Sequence, residues 1–574
     1  MNQVISPRTA SRQIVICCDG TNNNLTGRVR DTNVVKFCQL LADDAQSDRI
    51  MFYDPGVGNP GELPGATIVD SVKRKSERVA GLAFGRGVYE NVADCVLFLM
   101  RNYRPGDEIY IFGFSRGAFT ARSLGGVINQ FGILHPYMES MLPTLLHTYF
   151  AERGNSDAQR KAIAKQTSQL FAPADAQYVE IQFVGVWDTV ASVGMWPFDT
   201  KFTAIPTIVD KRFRNVRQAL ALDEHRAQFS PRIYIDNNGT YKTEKGAVAT
   251  MKQLWFRGAH CDVGGGYEGG STAISDAALA WLVSEATQCG LQVHANGPLL
   301  DSELSVSQAL QRVYPPSATL TIHSELYNTC LWALTGMAVR DTQRIKLDDG
   351  QEHVVEAVEH PSVEANKAAF PSDTSWRAAR PFRSALVCLA LIPLLLIALG
   401  QLLSQPMFIG ELVHDAALVI SFIPEYLQQN IAFARWQLFW LLDRDLTAGL
   451  ANFWAPRWAL MWDFVLIAAY AYVLAWFAVA AFERNAGLRR VGNRVPPVLA
   501  RLGWALPIAV FADIGENVAT WVTITLLSNE LIALAFMAAL AMSILSLIKF
   551  AGLIGTVMLC VLPTSAIQMW GDTN

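Results

Sequence analysis

The stretch EIYIFGFSRGAFTAR, residues 108–122, decides the fold. Glu108 to Phe112 reads as a short apolar strand, and a helical pattern starts near Arg116. Between them stands Gly113-Phe114-Ser115-Arg116-Gly117, a Gly-x-Ser-x-Gly turn. A strand, a sharp turn carrying serine and then a helix make a nucleophile elbow, which lifts the hydroxyl out at the top of a sheet. A serine hydroxyl is a weak nucleophile and needs a base beside it. The two glycines fit because a Cβ in so tight a turn would meet neighbouring backbone.

Working outward, residues 13–290 alternate strands with helices. Expected strands are Gln13–Cys18, Arg49–Tyr53, Glu108–Phe112, Val179–Val186 and Gln253–Arg257. Expected helices cover roughly 31–43, 76–102, 116–131, 211–222 and 274–289. This order implies an α/β domain with an α/β-hydrolase-like, mostly parallel sheet and helices on both faces. Residues 130–175 and 195–250 read as insertions, and Met195, Trp196, Pro197 and Phe198 read as packing the insertion onto the sheet, with lining of an acyl site as the alternative. Ligands of such sheets sit beyond the carboxyl ends of the strands. Asp188 follows the strand IQFVGVW, and His260 follows QLWFRGA and precedes CDVGGG. Ser115, Asp188, His260 is the nucleophile–acid–base order of this architecture. His260 would take the serine proton and Asp188 would orient the imidazole, with Asp223 and Asp262 as rival acids.

The first strand runs into Asp19-Gly20-Thr21-Asn22-Asn23-Asn24. Backbone N–H groups of Gly20 or Thr21, with that of Arg116, would form the oxyanion hole. Asp19 would hold the loop. Asp19, Asp54 and Asp262 also offer oxygen ligands of the kind that bind Ca²⁺, although acyl transfer to serine requires no metal or cofactor. The nine cysteines are scattered without Cys-x-x-Cys pairs, so neither a disulfide framework nor a zinc site is expected. His225 is expected in a helix-end network with Glu224 and Arg226.

Charge is unevenly spread along the 574 residues. Residues 384–574 hold 9 Lys+Arg and 11 Asp+Glu, about half the charge density of the rest, which points to membrane. The net charge of −4 argues against a nucleic-acid partner. The N-terminus MNQVISPRTASR has no apolar core, so no signal peptide is expected. The expected organisation is a catalytic domain over 1–344, a polar linker over 345–383 and an all-α transmembrane region over 384–574 with about four spans. These are Ser384–Leu403, Phe464–Phe482, Leu502–Ser528 and Leu531–Ile548, the last ending at Lys549, and Ile431–Leu442 reads as an amphipathic surface helix. The basic flank at 377–383, the loop 483–501 and Lys549 would then share the cytoplasmic side with the catalytic domain. Asp513, Glu516 and Asn517 fall within one apolar run, as a polar seam for oligomerisation or ion passage, or at a water-exposed break.

The motifs CDGTNNN, GFSRGAFTAR, GVWDTVASVG, ALALDEHRAQF and FRGAHCDVGGGY together resemble the DUF2235 domain, the catalytic domain of Tle1-like phospholipase effectors of bacterial type VI secretion. The resemblance runs over roughly residues 12–340. It implies an α/β-hydrolase cleaving acyl esters of glycerophospholipids, with a triad on Ser115, Asp188 and His260. It also implies a type VI spike protein and an immunity protein as partners. The reading is therefore a serine phospholipase at a phospholipid bilayer, in the bacterial inner membrane, with self-association through the helices as a further expectation. Two readings stand against it: a membrane sensor or channel with a ligand-binding hydrolase-like domain, and an esterase or acyltransferase on a non-lipid substrate.

Overall fold

The computed structural model describes residues 11–20, 31–42, 49–56, 86–150, 157–190, 192–193, 200–201, 211–243, 245–267, 273–293, 322–346, 352–365, 446–486, 497–528 and 531–561. Thr21 to Asn24, Met195 to Phe198, Ser384–Leu403 and Ile431–Leu442 lie outside them.

The N-terminal domain is built on seven strands: β1 (Gln13–Cys18), β2 (Arg49–Asp54), β3 (Glu108–Phe114), β4 (Ile181–Trp187), β5 (Asn215–Ala221), β6 (Gly239–Lys242) and β7 (Val248–Phe256). They lie in the order β2-β1-β3-β4-β5-β7-β6. All pairs are parallel except β6 with β7 at the edge. The chain winds outward from β1 to β2, then reverses across β1 to β3. That reversal opens a crevice at the carboxyl ends of β1 and β3, where sheets of this winding bind ligands.

Helices cover both faces, as parallel strands require. They are α1 (Asn33–Ala42), α2 (Arg86–Asn102), α3 (Arg116–Phe131), α4 (Leu142–Phe150), α5 (Asp157–Phe171), α6 (His260–Gly264) and α7 (Ala273–Gln288). Strand side chains alternate between the layers. Ile14, Ile16, Ile109, Ile111 and Val184 pack with α2, α3 and α4. Val15, Cys17, Phe112, Phe183 and Trp187 pack with α1 and α7. This period of two is the pleat of a strand carried into the core.

One element differs in kind from the sequence expectation. Residues 211–222 contain β5, a central strand, not a helix. Its buried Arg217 and Gln218 break the apolar run that marks a central parallel strand. Arg217 is held by Glu285 of α7 at 2.5 Å, and Gln218 by Arg122 and Arg232, so both polar side chains are satisfied in the core. The strand ending at Phe256 begins at Val248, five residues before its expected start.

The C-terminal region is helical: α8 (Leu446–Ala486), a short helix over Pro497–Leu502, α9 (Ala505–Ser528) and α10 (Ile532–Val561). Among the described residues one segment, Asp463–Glu483 with mean hydropathy 2.2, is long and apolar enough to cross a membrane. The four-span arrangement is therefore not supported. The first expected span lies outside the described residues, α9 carries Asp513 and Glu516, and Lys549 lies within α10, which continues to Val561 instead of ending there. These groups answer one another. Lys549 Nζ is 2.8 Å from Glu516 and 3.3 Å from Asp513, Tyr470 donates to Asp513, and Asn517 Nδ2 donates to Asp463 at 2.6 Å.

The two regions meet through residues 324–340. Leu326, Cys330, Ala333 and Met337 are buried among Ile467, Ala471, Ala475 and Phe482 of α8 and Leu506 and Val510 of α9.

Candidate active site

Ser115 stands at the junction of β3 and α3 with φ 59° and ψ −123°. Two glycines let the chain take this path. A Cβ on Gly113 would lie 2.4 Å from the Gly117 carbonyl oxygen, and one on Gly117 would lie 2.2 Å from that of Cys18. Both are backbone atoms of packed elements and cannot move aside, so the elbow excludes any larger residue at either place. The Ser115 N–H donates to the Trp187 carbonyl at 3.0 Å, which ties the elbow to the end of β4.

The next residue of β4's extension is Asp188, with φ 42°. Ser115 and Asp188 are the only non-glycine residues with positive φ among the described residues. Such conformations cost roughly 1–3 kcal/mol each and persist where the surroundings impose them, often at functional sites. Around Asp188 the surroundings are specific. Its N–H donates to the Ala219 carbonyl at 2.8 Å, and Oδ1 accepts from the Ala221 N–H at 3.0 Å, both on β5. Strand β5, expected as a helix, thus frames Asp188.

His260 opens α6, and its Nδ1 lies 2.5 Å from Asp188 Oδ2. The imidazole sits between the Phe114 ring, 4.7 Å away, and the Phe229 ring, 5.0 Å away. Phe114 precedes the serine, so this stacking holds the imidazole beside the elbow. Among the described residues Ser115 makes no hydrogen bond to His260; such contacts are often long in a resting site and close on substrate. The His260 N–H donates to Glu224 Oε2 at 3.2 Å, and Arg226 grips the same carboxylate at 2.7 and 2.9 Å. Burial pushes the Glu224 carboxyl up, but the Arg226 charge outweighs it and brings the group down to about 2.

The rival acids are occupied elsewhere. Asp223 pairs with Arg257 at 2.8 Å, and Asp262 with His323 Nδ1 at 2.6 Å. Asp19 accepts from Thr32 and Tyr53 at 2.8 to 3.0 Å and from the Gly20 N–H at 2.6 Å. The Gly20 N–H is therefore committed to Asp19, and Thr21 lies outside the described residues. Arg116 is the first residue of α3, where no preceding turn supplies a carbonyl for its N–H.

A residue with no signal in the sequence completes the cluster. Arg340 Nη1 donates to Asp188 Oδ1 at 2.6 Å, and Nη2 to Oδ2 at 2.8 Å. The same guanidinium donates to the Ala221 and Phe229 carbonyls, each at 2.6 Å. Asp188 is fully buried. Burial alone would raise its carboxyl, but the Arg340 charge and the His260 hydrogen bond together hold it well below the ordinary carboxylate range. An ionised Asp188 is an acceptor only, so the Nδ1 facing it carries the hydrogen. His225 also departs from expectation: its Nδ1 meets Glu483 of α8 at 2.9 Å, while Ser324 donates to the same carboxylate at 2.6 Å.

Residues 12–285 match the family described as T6SS, phospholipase effector Tle1-like, catalytic domain. This segment is similar to that catalytic domain. The Tle1-like segment contains Ser115, Asp188 and His260, whereas Arg340 lies beyond its end. The chain is 33% identical over 236 residues to an uncharacterized protein of Saccharomyces cerevisiae, YEL023C. That match spans 39% of this chain and 33% of the yeast protein, so only about a third of that relative's length is shared. An uncharacterized protein from Pseudomonas aeruginosa of known crystal structure is 16% identical over 89% of this chain and 67% of its own, with a TM-score of 0.28.

Proposed function

We propose that the Tle1-like domain is a serine hydrolase that cleaves acyl esters of phospholipids at a bilayer surface. The observation that carries this reading is the pair of strained residues, Ser115 and Asp188, with the Asp188–His260 contact beside the elbow. Ser115 Oγ attacks the acyl carbonyl while His260 Nε2 takes its proton. The lysolipid oxygen leaves with that proton, and water then hydrolyses the acyl-serine with His260 as base. Asp188, clamped by Arg340, keeps the imidazole in one tautomer and stabilises it when charged. The Arg116 N–H supplies one oxyanion donor and Thr21 the second, each worth about 3 kcal/mol in the transition state.

The bilayer is supported by the helices. Trp521, Leu534, Met537, Ile544 and Ile554 are exposed on α9 and α10, a surface that water disfavours and lipid does not. The segment Asp463–Glu483 ends at Glu483, against His225 and Ser324 of the N-terminal region. That end of the segment therefore lies on the side of the hydrolase. The family match makes a type VI secretion role, with an immunity protein as inhibitor, the natural biological setting.

The test is fatty-acid release from phospholipid vesicles by full-length protein in detergent, wild type against Ser115→Ala. Wild type should release fatty acid, and the variant should lose activity by at least about 10⁴-fold. Equal release from both would end the proposal.

A further inference from the structure

Beneath the elbow, away from the acyl chemistry, lies a second cluster. Cys18 ends β1, Asp54 ends β2, and Cys95 lies on α2; all three are buried, at 0%, 5% and 0% exposure. Their ligand atoms lie within 4.8 Å of one another. The two Sγ atoms are 3.8 Å apart. Two thiolates bound at about 2.3 Å to one tetrahedral zinc ion sit about 3.8 Å apart, whereas a disulfide requires about 2.05 Å. A second observation points the same way. Asp54 Oδ2 is buried with no hydrogen-bond partner of its own, while Asn91 and the Gly56 N–H approach the rest of the carboxyl. An oxygen left so in an apolar layer costs free energy unless something binds it.

We infer that Cys18, Cys95 and Asp54 form a binding site for a thiophilic divalent cation, zinc in the first place. Asn91 stands one helical turn before Cys95 on α2, so the two share a face, and its carboxamide lies against the Asp54 carboxyl. Binding converts two thiols to thiolates, so two protons leave as the cation enters, and affinity rises with pH. The site is structural. It joins the ends of β1 and β2 to α2, directly below the Cys18 carbonyl on which Gly117 packs. Scattered cysteines hid it, because the ligands come from three separate elements instead of one short motif.

The test uses full-length protein in detergent. Metal analysis should find one zinc per chain after incubation with zinc and desalting. Chelator-stripped protein titrated with Co²⁺ should develop a thiolate-to-cobalt charge-transfer band that saturates at one Co²⁺ per chain. Cys95→Ser and Asp54→Asn should lose most of the bound zinc, and Ser115→Ala should keep it. The cobalt measurement needs no variant, so a variant that fails to fold leaves the proposal exposed to it. Wild type that binds no zinc, gives no sulfur-to-cobalt band, or is isolated with a Cys18–Cys95 disulfide would overturn the inference.

Discussion

The two regions of this chain solve opposite burial problems. The sheet domain hides its apolar side chains in two layers and gathers polar ones at the carboxyl edge of the strands. The helical region turns Leu534, Met537 and Ile544 outward and places Asp513, Glu516 and Lys549 between helices. Each region also buries a carboxylate answered by one cation. Asp188 is gripped by both Arg340 nitrogens, while Asp513 shares Lys549 with Glu516. A bidentate guanidinium fixes direction, whereas an ammonium supplies a point charge. The difference teaches that the first pair has a fixed direction, as the proposed orienting role requires, whereas the second neutralises charge among packed helices.

The sharpest break of this comparison is Asp188→Asn. It keeps the shape but removes the charge that sets the His260 tautomer, so kcat should fall by about 10⁴-fold with little change in KM. Arg340→Met should follow. It leaves Asp188 buried and oriented by His260 and one backbone N–H alone. Breaking a buried pair from one side costs about 3–5 kcal/mol, and a lost orienting contact typically costs 10–100-fold in activity. Circular dichroism melting and steady-state hydrolysis would separate the two effects. An Arg340→Met protein with full kcat would reduce the guanidinium to a charge-balancing role like that of Lys549.

How far these roles could be read from sequence depends on where their partners lie. Ser115, Asp188 and His260 each follow a strand, so the winding of the sheet alone brings them to one edge. Arg340 stands 152 residues after Asp188, and no local pattern marks one arginine out of GMAVRD. Residues 211–222 read as a helix, because Arg217 and Gln218 interrupt the apolar run of a central strand; both find buried partners on other elements and so need not be apolar. Lys549 reads as a helix end for the same reason reversed. A lone charge belongs at an interface unless acids from another helix meet it, and Asp513 and Glu516 lie too far back in the chain to be seen as its partners. Local periodicity therefore reported backbone direction well, and failed wherever a polar residue was satisfied at long range.

The contact between the regions gives a smaller effect. Burial lowers the His225 pKa, but the Glu483 charge outweighs it and raises the group above its ordinary value. The stabilisation from this pair is complete below the ordinary histidine pKa of about 6.5 and fades as pH rises through the raised one. Glu483→Gln should thus lose about 2 kcal/mol at acidic pH and progressively less at alkaline pH. Thermal midpoints of both proteins in one detergent, compared across pH, measure this. A difference that grows with pH would show that the contact works with neutral histidine.

The smallest effect in solution is expected on the outward face of the helices. Leu534 is 56% exposed and Met537 is 61% exposed, so neither contributes much to packing. In detergent Leu534→Asn with Met537→Asn should move the thermal midpoint by no more than surface substitutions do, within about 0.5 kcal/mol per site, and should leave hydrolysis of a soluble ester unchanged. Against lipid the same change carries a penalty, because each lost apolar side chain forfeits about 2 kcal/mol of transfer free energy. Partitioning into vesicles should therefore fall by more than an order of magnitude while the ester rate holds. If water rather than lipid covers this face, partitioning will not change, and the contrast between an inward-facing and an outward-facing apolar region would have to be replaced by one in which another protein surface covers the helices.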